Sequence, residues 1–186
     1  MLNVNNLRNG AVFKEDNQPW QVITYEHIKM GRGSGTIKVK VRNLKTGSIT
    51  EKSFITGARV DEADVEKKKA QYLYPDGDNF YFMDPATFEQ FSLPKSVIGD
   101  QAKYLQDGLE VNLMVSDGQA LTVELPNTLI YIITDTGPGE KGNTVSNVYK
   151  DAVLDNGLTV KVPMFGKNGD KVKIDTRTGE YVERVK

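Results

Sequence analysis

The sequence predicts an all-β protein made of three small β-barrel domains, and three observations lead to this prediction. Apolar and polar residues alternate over many short segments, which is the pattern of half-buried strands. Turn sequences rich in Gly, Asn, Asp and Pro separate these segments. Only residues 95–106 have the pattern of a short helix. A chain of 186 residues is long enough for two or three such domains.

The first predicted domain, residues 1–64, contains a long β-hairpin. Residues 20–28 are rich in β-branched and aromatic side chains, as strands are. Residues 36–42 alternate strictly and place Lys38, Lys40 and Arg42 on the face opposite the apolar one. An arm of about eight residues at about 3.3 Å each extends about 26 Å. The glycine-rich connection between the arms is therefore predicted to lie well away from the domain.

Two further domains are predicted at residues 65–127 and 128–186. A charged segment, residues 60–69, marks the first boundary, and Pro126-Asn127 marks the second. The second domain opens with a hairpin around a turn at residues 75–79 and closes with strands at 109–115 and 120–125. In the third domain a loop at 136–144 follows the first strand, and later strands are predicted near 159–162, 171–174 and 181–185.

Composition excludes several classes of protein. The chain has no cysteine and one histidine, His27, which excludes disulfides, thiolate catalysis and multi-His metal sites. It has no apolar run of about 18 residues and no basic stretch followed by an apolar core at its start. The expectation is a cytoplasmic monomer that is not an enzyme, with no metal, no diffusible cofactor and no membrane partner.

Charge is distributed unevenly along the chain, although the net charge is only −1. Residues 1–64 carry ten Lys and Arg against seven Asp and Glu, whereas residues 65–128 carry five against ten. Residues 129–186 carry nine against eight. A basic first third favours local contact with nucleic acid, and variation among small domains accounts for the pattern equally well.

The tip of the hairpin allows two interpretations. Gly31-Arg32-Gly33-Ser34-Gly35 is not a phosphate-binding P-loop, because that motif leads into a helix and here a strand follows. The segment is either a flexible turn or a device that presents Arg32, whose guanidinium has five donors and a plane that stacks on bases. Flanking glycines would let a partner approach the backbone closely.

Two of the remaining candidates, the basic stripe and the aromatic residues, also have two interpretations each. The stripe formed by Lys38, Lys40 and Arg42 is either a solvated strand face or a set of phosphate contacts. His27 is expected to buttress the loop from the surface of its strand. The aromatic residues of the second domain are either barrel core, which is the favoured interpretation, or stacking platforms for bases. They are Tyr72, Tyr74, Phe80, Tyr81, Phe82, Phe88 and Phe91.

Several segments together resemble the bacterial elongation factor P family. The likeness runs in order through essentially all 186 residues. Its most specific part is the pattern Lys150-Asp151-Ala152, Gly157, Val160, Val162-Pro163 and Gly169, followed by residues 174–185. Further matches are residues 43–47 after the hairpin, Tyr72-Leu73-Tyr74, residues 80–84 and 87–90, and Glu124-Leu125-Pro126.

The resemblance implies an architecture and a function. It implies an N-terminal SH3-like barrel of the KOW type and two OB-type barrels, arranged in an L like a tRNA. It implies binding to the ribosome between the peptidyl and exit tRNA sites, where the factor relieves stalling at consecutive prolines. The factor would hold the peptidyl-tRNA in a reactive pose, which is catalysis by positioning.

The resemblance also assigns the hairpin tip. The family commonly has a modified lysine within Pro-Gly-Lys-Gly, and Met30-Gly31-Arg32-Gly33 stands at that place. A branch of the family carries arginine there, rhamnosylated on the guanidinium, usually with asparagine where this chain has Gly33. The implied modification is therefore a covalent rhamnose on Arg32, attached by an arginine rhamnosyltransferase.

A second implied site lies in the third domain. The family has a Gly-Asp-Thr loop that contacts the messenger near the exit site, and Gly142-Asn143-Thr144 is its counterpart. The other candidate RNA contacts are Lys29, Tyr181 and Arg184. Two alternatives stay open: a paralogous elongation-factor-P-like protein, and a generic OB-type RNA-binding protein that binds isolated single strands.

Overall fold

The computed structural model describes residues 1–29, 33–138 and 149–186, and these residues are almost entirely β-structure. Within these ranges the strands form three antiparallel sheets that follow one another along the chain. The predicted fold class, all-β with three small barrel-type units, is confirmed.

The first sheet has the strand order β1-β6-β2-β3-β4-β5. A 3₁₀ helix, Val4–Asn6, follows its first strand. The inward faces of these strands enclose a core of Val4, Leu7, Phe13, Val22, Ile37, Val39, Val41 and Val60. The strands are β1 (Leu2–Asn3), β2 (Val12–Glu15), β3 (Gln18–Ile28), β4 (Thr36–Asn43), β5 (Ile49–Ile55) and β6 (Arg59–Glu62).

The second sheet has the order β11-β10-β7-β8-β9. Its strands are β7 (Glu66–Asp76), β8 (Asn79–Met83), β9 (Gln90–Pro94), β10 (Glu110–Ser116) and β11 (Gln119–Glu124). Between β9 and β10 lies the predicted helical segment, made of α1 (Lys95–Ile98) and a 3₁₀ helix (Gly99–Tyr104). We call residues 95–104 the linking helix.

The third sheet has the order β14-β13-β12-β15-β16. Its strands are β12 (Thr128–Thr136), β13 (Tyr149–Leu154), β14 (Thr159–Pro163), β15 (Lys171–Asp175) and β16 (Tyr181–Val185). The buried side chains of the second and third sheets form one continuous apolar cluster, which also includes Leu44 from the first unit.

The charged segment 60–69, predicted to mark the first boundary, is mostly strand: Arg59–Glu62 pairs with β1 and β2, and Glu66 opens β7. Of its three consecutive lysines, Lys67 and Lys69 are exposed and Lys68 is less exposed, which is the alternation of a strand. One sequence prediction needs correction. The aromatic residues of the second domain are not all core: Tyr72, Phe82 and Phe91 are buried, whereas Tyr74 and Phe88 are exposed.

The linking helix contacts both neighbouring units. On one side, the Arg42 guanidinium of β4 donates a hydrogen bond to the Val97 carbonyl at 2.7 Å. On the other side, the buried Tyr131 hydroxyl of β12 donates to the Tyr104 carbonyl at 3.1 Å. The Asn156 side chain of the third unit also donates to the Lys103 carbonyl at 3.3 Å. One short segment thus joins the first sheet to the third.

In the parts of the chain that are described, no helix is both long and apolar enough to cross a membrane.

Candidate functional site

The hairpin that ends at Arg32 is made of β3 and β4. The two strands pair in antiparallel register from Trp20 opposite Asn43 to Ile28 opposite Thr36, with one bulge between Val22 and Thr24. β4 also pairs with β5 along its length, so the arm is supported by a third strand as far as Ile55. The arm is therefore part of a sheet rather than an isolated ribbon, which stabilises it.

β3 ends at Ile28 and β4 begins at Thr36, and the residues predicted at the tip stand between them in the sequence. Met30, Gly31 and Arg32 fall outside the described residues. Lys29 and Ser34, on either side of them, are exposed. Gly33 has a backbone φ of +136° with open space around it, a conformation that favours glycine.

The root of the tip is held by Thr56, which follows β5. Its backbone N–H and its hydroxyl both donate to the Gly35 carbonyl, at 2.8 and 2.6 Å. The His27 Nε2 lies 3.4 Å from the same hydroxyl. We call these three residues the root clamp. His27 thus lies beside the loop, as the sequence predicted.

Gly35 is required in the root clamp for a steric reason. A Cβ on this residue would lie 2.9 Å from Thr56 Oγ1, 3.0 Å from His27 Nε2 and 3.1 Å from the Ile28 carbonyl. All three distances are shorter than comfortable van der Waals contact. The last residue before β4 can therefore approach Thr56 only if it has no side chain.

The cationic stripe keeps two of its three predicted members. Lys38 and Lys40 are exposed, and neither forms an ion pair with a described residue. Their cross-strand neighbours include two carboxylates, since Lys38 lies opposite Glu26 and Lys40 lies opposite Glu51. The stripe is therefore a mixed-charge face with accessible ammonium groups near the tip.

Arg42 is not a member of that stripe, contrary to the sequence prediction. Strand alternation places it on the same face, but the linking helix covers that end of β4. Its Nη1 binds the Val97 carbonyl, and its Nε is buried. An alternation pattern shows which face a side chain lies on and cannot show what another domain places against that face.

The third-domain candidates lie partly outside the described residues, since Gly142, Asn143 and Thr144 belong to the segment 139–148. Tyr181 is half-buried, and burial raises the pKa of its hydroxyl. Arg184 lies with its guanidinium carbon 5.3 Å from the centre of the Phe165 ring and its Nη1 3.5 Å from Asp170. Arg184 is thus half-exposed and already held by two contacts.

Comparison with known proteins covers the whole chain. Three family models match, described as the elongation factor P KOW-like domain at residues 3–60, the OB domain at 65–123 and the C-terminal domain at 130–184. The elongation factor P of Moorella thermoacetica is 42% identical over 185 residues, which is 100% of each chain. The chain belongs to the elongation factor P family.

Other elongation factors P are similar to a comparable degree. That of Persephonella marina is 40% identical over 99% of this chain and 97% of its own. Among solved structures, an initiation factor 5A from Methanococcus jannaschii is 24% identical, with a TM-score of 0.48, over 67% of this chain and 91% of its own. Family membership makes this chain a translation elongation factor, in a family of translation factors rather than classical enzymes.

Sequence reasoning misses Thr56 and assigns a different role to two residues that it does name, Arg42 and Phe88. Thr56 clamps the root from a distance of 21 residues, and no local pattern indicates this pairing. Arg42 joins two domains, and its place in an alternating strand concealed that role. The sequence places Phe88 among the core aromatics, although an aromatic that follows Asp-Pro-Ala-Thr stands where a turn commonly needs glycine.

Proposed function

We propose that this elongation factor binds the ribosome between the peptidyl and exit tRNA sites and stimulates peptide bond formation at consecutive prolines. The main supporting observation is the clamped hairpin. Its two arms are paired as far as Ile28 and Thr36, and Arg32 occupies, in the connection between them, the position that matches the functional residue of the family. Full-length similarity to elongation factors P supports the same proposal.

The mechanism is positioning. The Arg32 guanidinium, a planar group with five donors, would contact the acceptor end of the peptidyl-tRNA and restrict it to a reactive orientation. Restricting a reactant in this way lowers the entropic part of the barrier without any acid, base or nucleophile from the factor. The root clamp contributes because Thr56 and Gly35 fix the direction in which the connection leaves the sheet.

RNA contacts would orient the factor on the ribosome. Lys29, Lys38 and Lys40 are exposed close to the tip and suit phosphate oxygens, which bind cations regardless of sequence. Arg42 is left out of this set because its guanidinium already binds Val97.

A second group of contacts would come from the third domain. There Gly142-Asn143-Thr144 would contact the messenger at the exit site. The Asn143 amide can both donate and accept hydrogen bonds. Tyr181 and Arg184 are further candidates in the same domain.

Rhamnosylation of Arg32 is part of this proposal. A rhamnosyltransferase would transfer the sugar from a nucleotide-activated donor. A bond forms between a guanidinium nitrogen and the anomeric carbon, the bond from that carbon to the diphosphate breaks, and the nitrogen loses its proton. Intact-mass measurement of the protein from its native host should show one added deoxyhexose located on the tip peptide. An unmodified native protein that is fully active would contradict rhamnosylation and would leave the proposed positioning role of Arg32 intact.

The architecture proposed for this function divides the chain at residues 1–64, 65–127 and 128–186. The three domains would form one L-shaped monomer, with the tip at one end and the messenger loop at the other. With this arrangement, the tip and the messenger loop of a single molecule would contact the same ribosome.

The test is translation of two matched templates in a reconstituted system. Protein from the native host should increase full-length product from a template with three consecutive prolines and leave a proline-free template unchanged. No gain on the proline template would contradict the proposed function. Tight binding to isolated single-stranded RNA together with no gain would favour a generic RNA-binding protein instead.

A further inference from the structure

The described chain builds the same six-residue turn three times, once in each sheet. In each turn the first side chain accepts a hydrogen bond from the backbone N–H two residues later, at 2.8 Å. The fifth N–H donates to the first carbonyl, at 2.7–2.8 Å. The threonine at the fourth position accepts from the sixth N–H, at 3.3 Å. The turns are residues 43–48, 84–89 and 175–180.

The fifth position of this turn requires a left-handed backbone. It has φ +75° at Gly47 and +77° at Gly179, where glycine adopts this conformation without strain. In the second turn the same position is Phe88, with φ +59°. A bulky L-residue is strained there because its Cβ approaches the following carbonyl. The described residues thus contain two unstrained versions of the turn and one strained version.

The surroundings of the fifth position differ in the same way. A Cβ on Gly47 would lie 2.7 Å from Ser96, and one on Gly179 would lie 3.1 Å from the Tyr104 hydroxyl. Both glycines therefore lie against the linking helix and help to dock the first and third units onto it. Phe88 is instead 71% exposed. A single exposed apolar residue is ordinary, but one held exposed in a strained backbone needs a reason.

Charge indicates what kind of partner Phe88 would meet. Asp84 and Glu89 flank it in the turn, and residues 65–128 carry ten Asp and Glu against five Lys and Arg. Lys68 lies 3.6 Å from Glu89 and compensates part of this charge. A negative field disfavours RNA phosphates and favours a basic protein surface. An aromatic side chain at the centre of such a contact is a typical binding anchor.

We propose that Phe88 is a docking anchor that inserts into an apolar pocket on a basic protein of the ribosome. The turn of the middle unit would thus bind a partner protein through its fifth residue, whereas the other two turns contact the linking helix of the same chain through theirs. This inference rests on the proposed ribosome association and adds a protein contact to the RNA contacts proposed above.

Two variants of the full-length protein separate docking from stability. Phe88→Gly and Phe88→Ala remove the same aromatic ring, but only glycine relieves the left-handed strain. We expect both to bind ribosomes about tenfold more weakly than the wild type. Phe88→Gly should melt about 2–4 °C above Phe88→Ala, because only the second variant keeps a strained backbone. Phe88→Tyr should restore binding.

Asp117→Gly is the matched control. Asp117 is an exposed non-glycine residue of the same unit with φ +50°, so its replacement relieves strain without removing an aromatic ring. Its ribosome affinity should equal that of the wild type. Wild-type affinity in Phe88→Gly and Phe88→Ala would overturn the docking proposal alone. Failure of the wild type itself to bind ribosomes would overturn the proposed function as well.

Photo-crosslinking identifies the class of partner. A benzophenone analogue of phenylalanine, placed at position 88 of the full chain and irradiated on purified ribosomes, should crosslink to a basic ribosomal protein. The same analogue at position 74, an exposed tyrosine of the same unit, should not give that product. Crosslinks from position 88 only to ribosomal RNA would overturn the proposal that the partner is a protein.

Discussion

Gly35 shows how one missing side chain allows a close backbone contact at the start of β4. The residue approaches Thr56 so closely that both the amide and the hydroxyl of Thr56 bind its carbonyl. Gly35→Ala must displace that hydroxyl, at a cost of about 1 kcal/mol for the lost hydrogen bond. The Thr56 amide should then exchange with solvent about fivefold faster.

The same substitution should impair function more than stability. A small displacement of a positioning group can reduce a rate by about 10²-fold, so Gly35→Ala should reduce stimulation on a proline-run template strongly. Ser34→Ala is the control, because Ser34 is exposed and adjacent. Equal activity of the two variants would show that the root clamp does not orient the tip.

Tyr131 makes the buried contact between the third sheet and the linking helix. Tyr131→Phe leaves the Tyr104 carbonyl without its partner and should lower the free energy of unfolding by about 1–2 kcal/mol. Tyr149→Phe, at a residue that is 52% exposed, should change it by less than about 0.5 kcal/mol. Urea unfolding at pH 7 measures both variants, and an equal effect would contradict the role of this hydroxyl.

The stability of the protein at alkaline pH gives a second test of the role of Tyr131. Burial raises the pKa of its hydroxyl from 10.0 to about 12, so the folded state favours the neutral form. The resulting stability is present below about pH 10 and is lost as pH rises toward about 12. Tyr131→Phe should therefore lose less stability than the wild type across that interval, as measured by urea unfolding.

At the scale of elements, the turn at residues 175–180 links its sequence to the pH dependence of stability through Asp175. Hydrogen bonds from the Arg177 side chain lower the pKa of Asp175 to about 2, against an ordinary value of 3.8. The contribution of this carboxylate is therefore present above about pH 4 and is lost as pH falls toward about 2. Asp175→Asn should keep the turn, because Asn43 builds the same turn with an amide oxygen.

The expected result is a smaller loss of stability in Asp175→Asn than in the wild type between about pH 4 and pH 2. Thermal unfolding across that interval measures the difference. Asp76→Asn is the control, since Asp76 is exposed and has no ion pair with a described residue. If both variants follow the wild type, the Asp175–Arg177 contact contributes nothing to folding.

Most secondary-structure elements can be predicted from the sequence, whereas the contacts between them cannot. The hairpin arms, the linking helix and most strands of the second and third units follow from periodicity and turn residues, which are local properties. The pairing of Thr56 with Gly35 and the contact of Arg42 with Val97 are long-range and leave no local pattern. Phe88 violates the local rule for its turn, and that violation became informative only beside Gly47 and Gly179.

At the scale of the whole molecule, the linking helix connects the hairpin strand β4 to the rest of the chain through Arg42. Arg42→Ala removes the hydrogen bond from β4 to Val97 and leaves a carbonyl unpaired at the domain contact. We expect a loss of about 1–3 kcal/mol and a broader distribution of particle size in small-angle scattering. Lys40→Ala, on the same strand face and exposed, should leave both unchanged. Equal scattering profiles for the two variants would contradict this role of Arg42.

The role of Arg32 is tested by the activity of Arg32→Ala on a three-proline template, with protein from the native host and with Ser34→Ala as the control. Arg32→Ala is expected to melt within about 1 °C of the wild type and to lose stimulation, because a residue in the connection between two strands contributes little to folding. Arg32→Lys should also fail there, since an amine cannot replace the guanidinium. Full stimulation by Arg32→Ala would contradict the assignment of the tip.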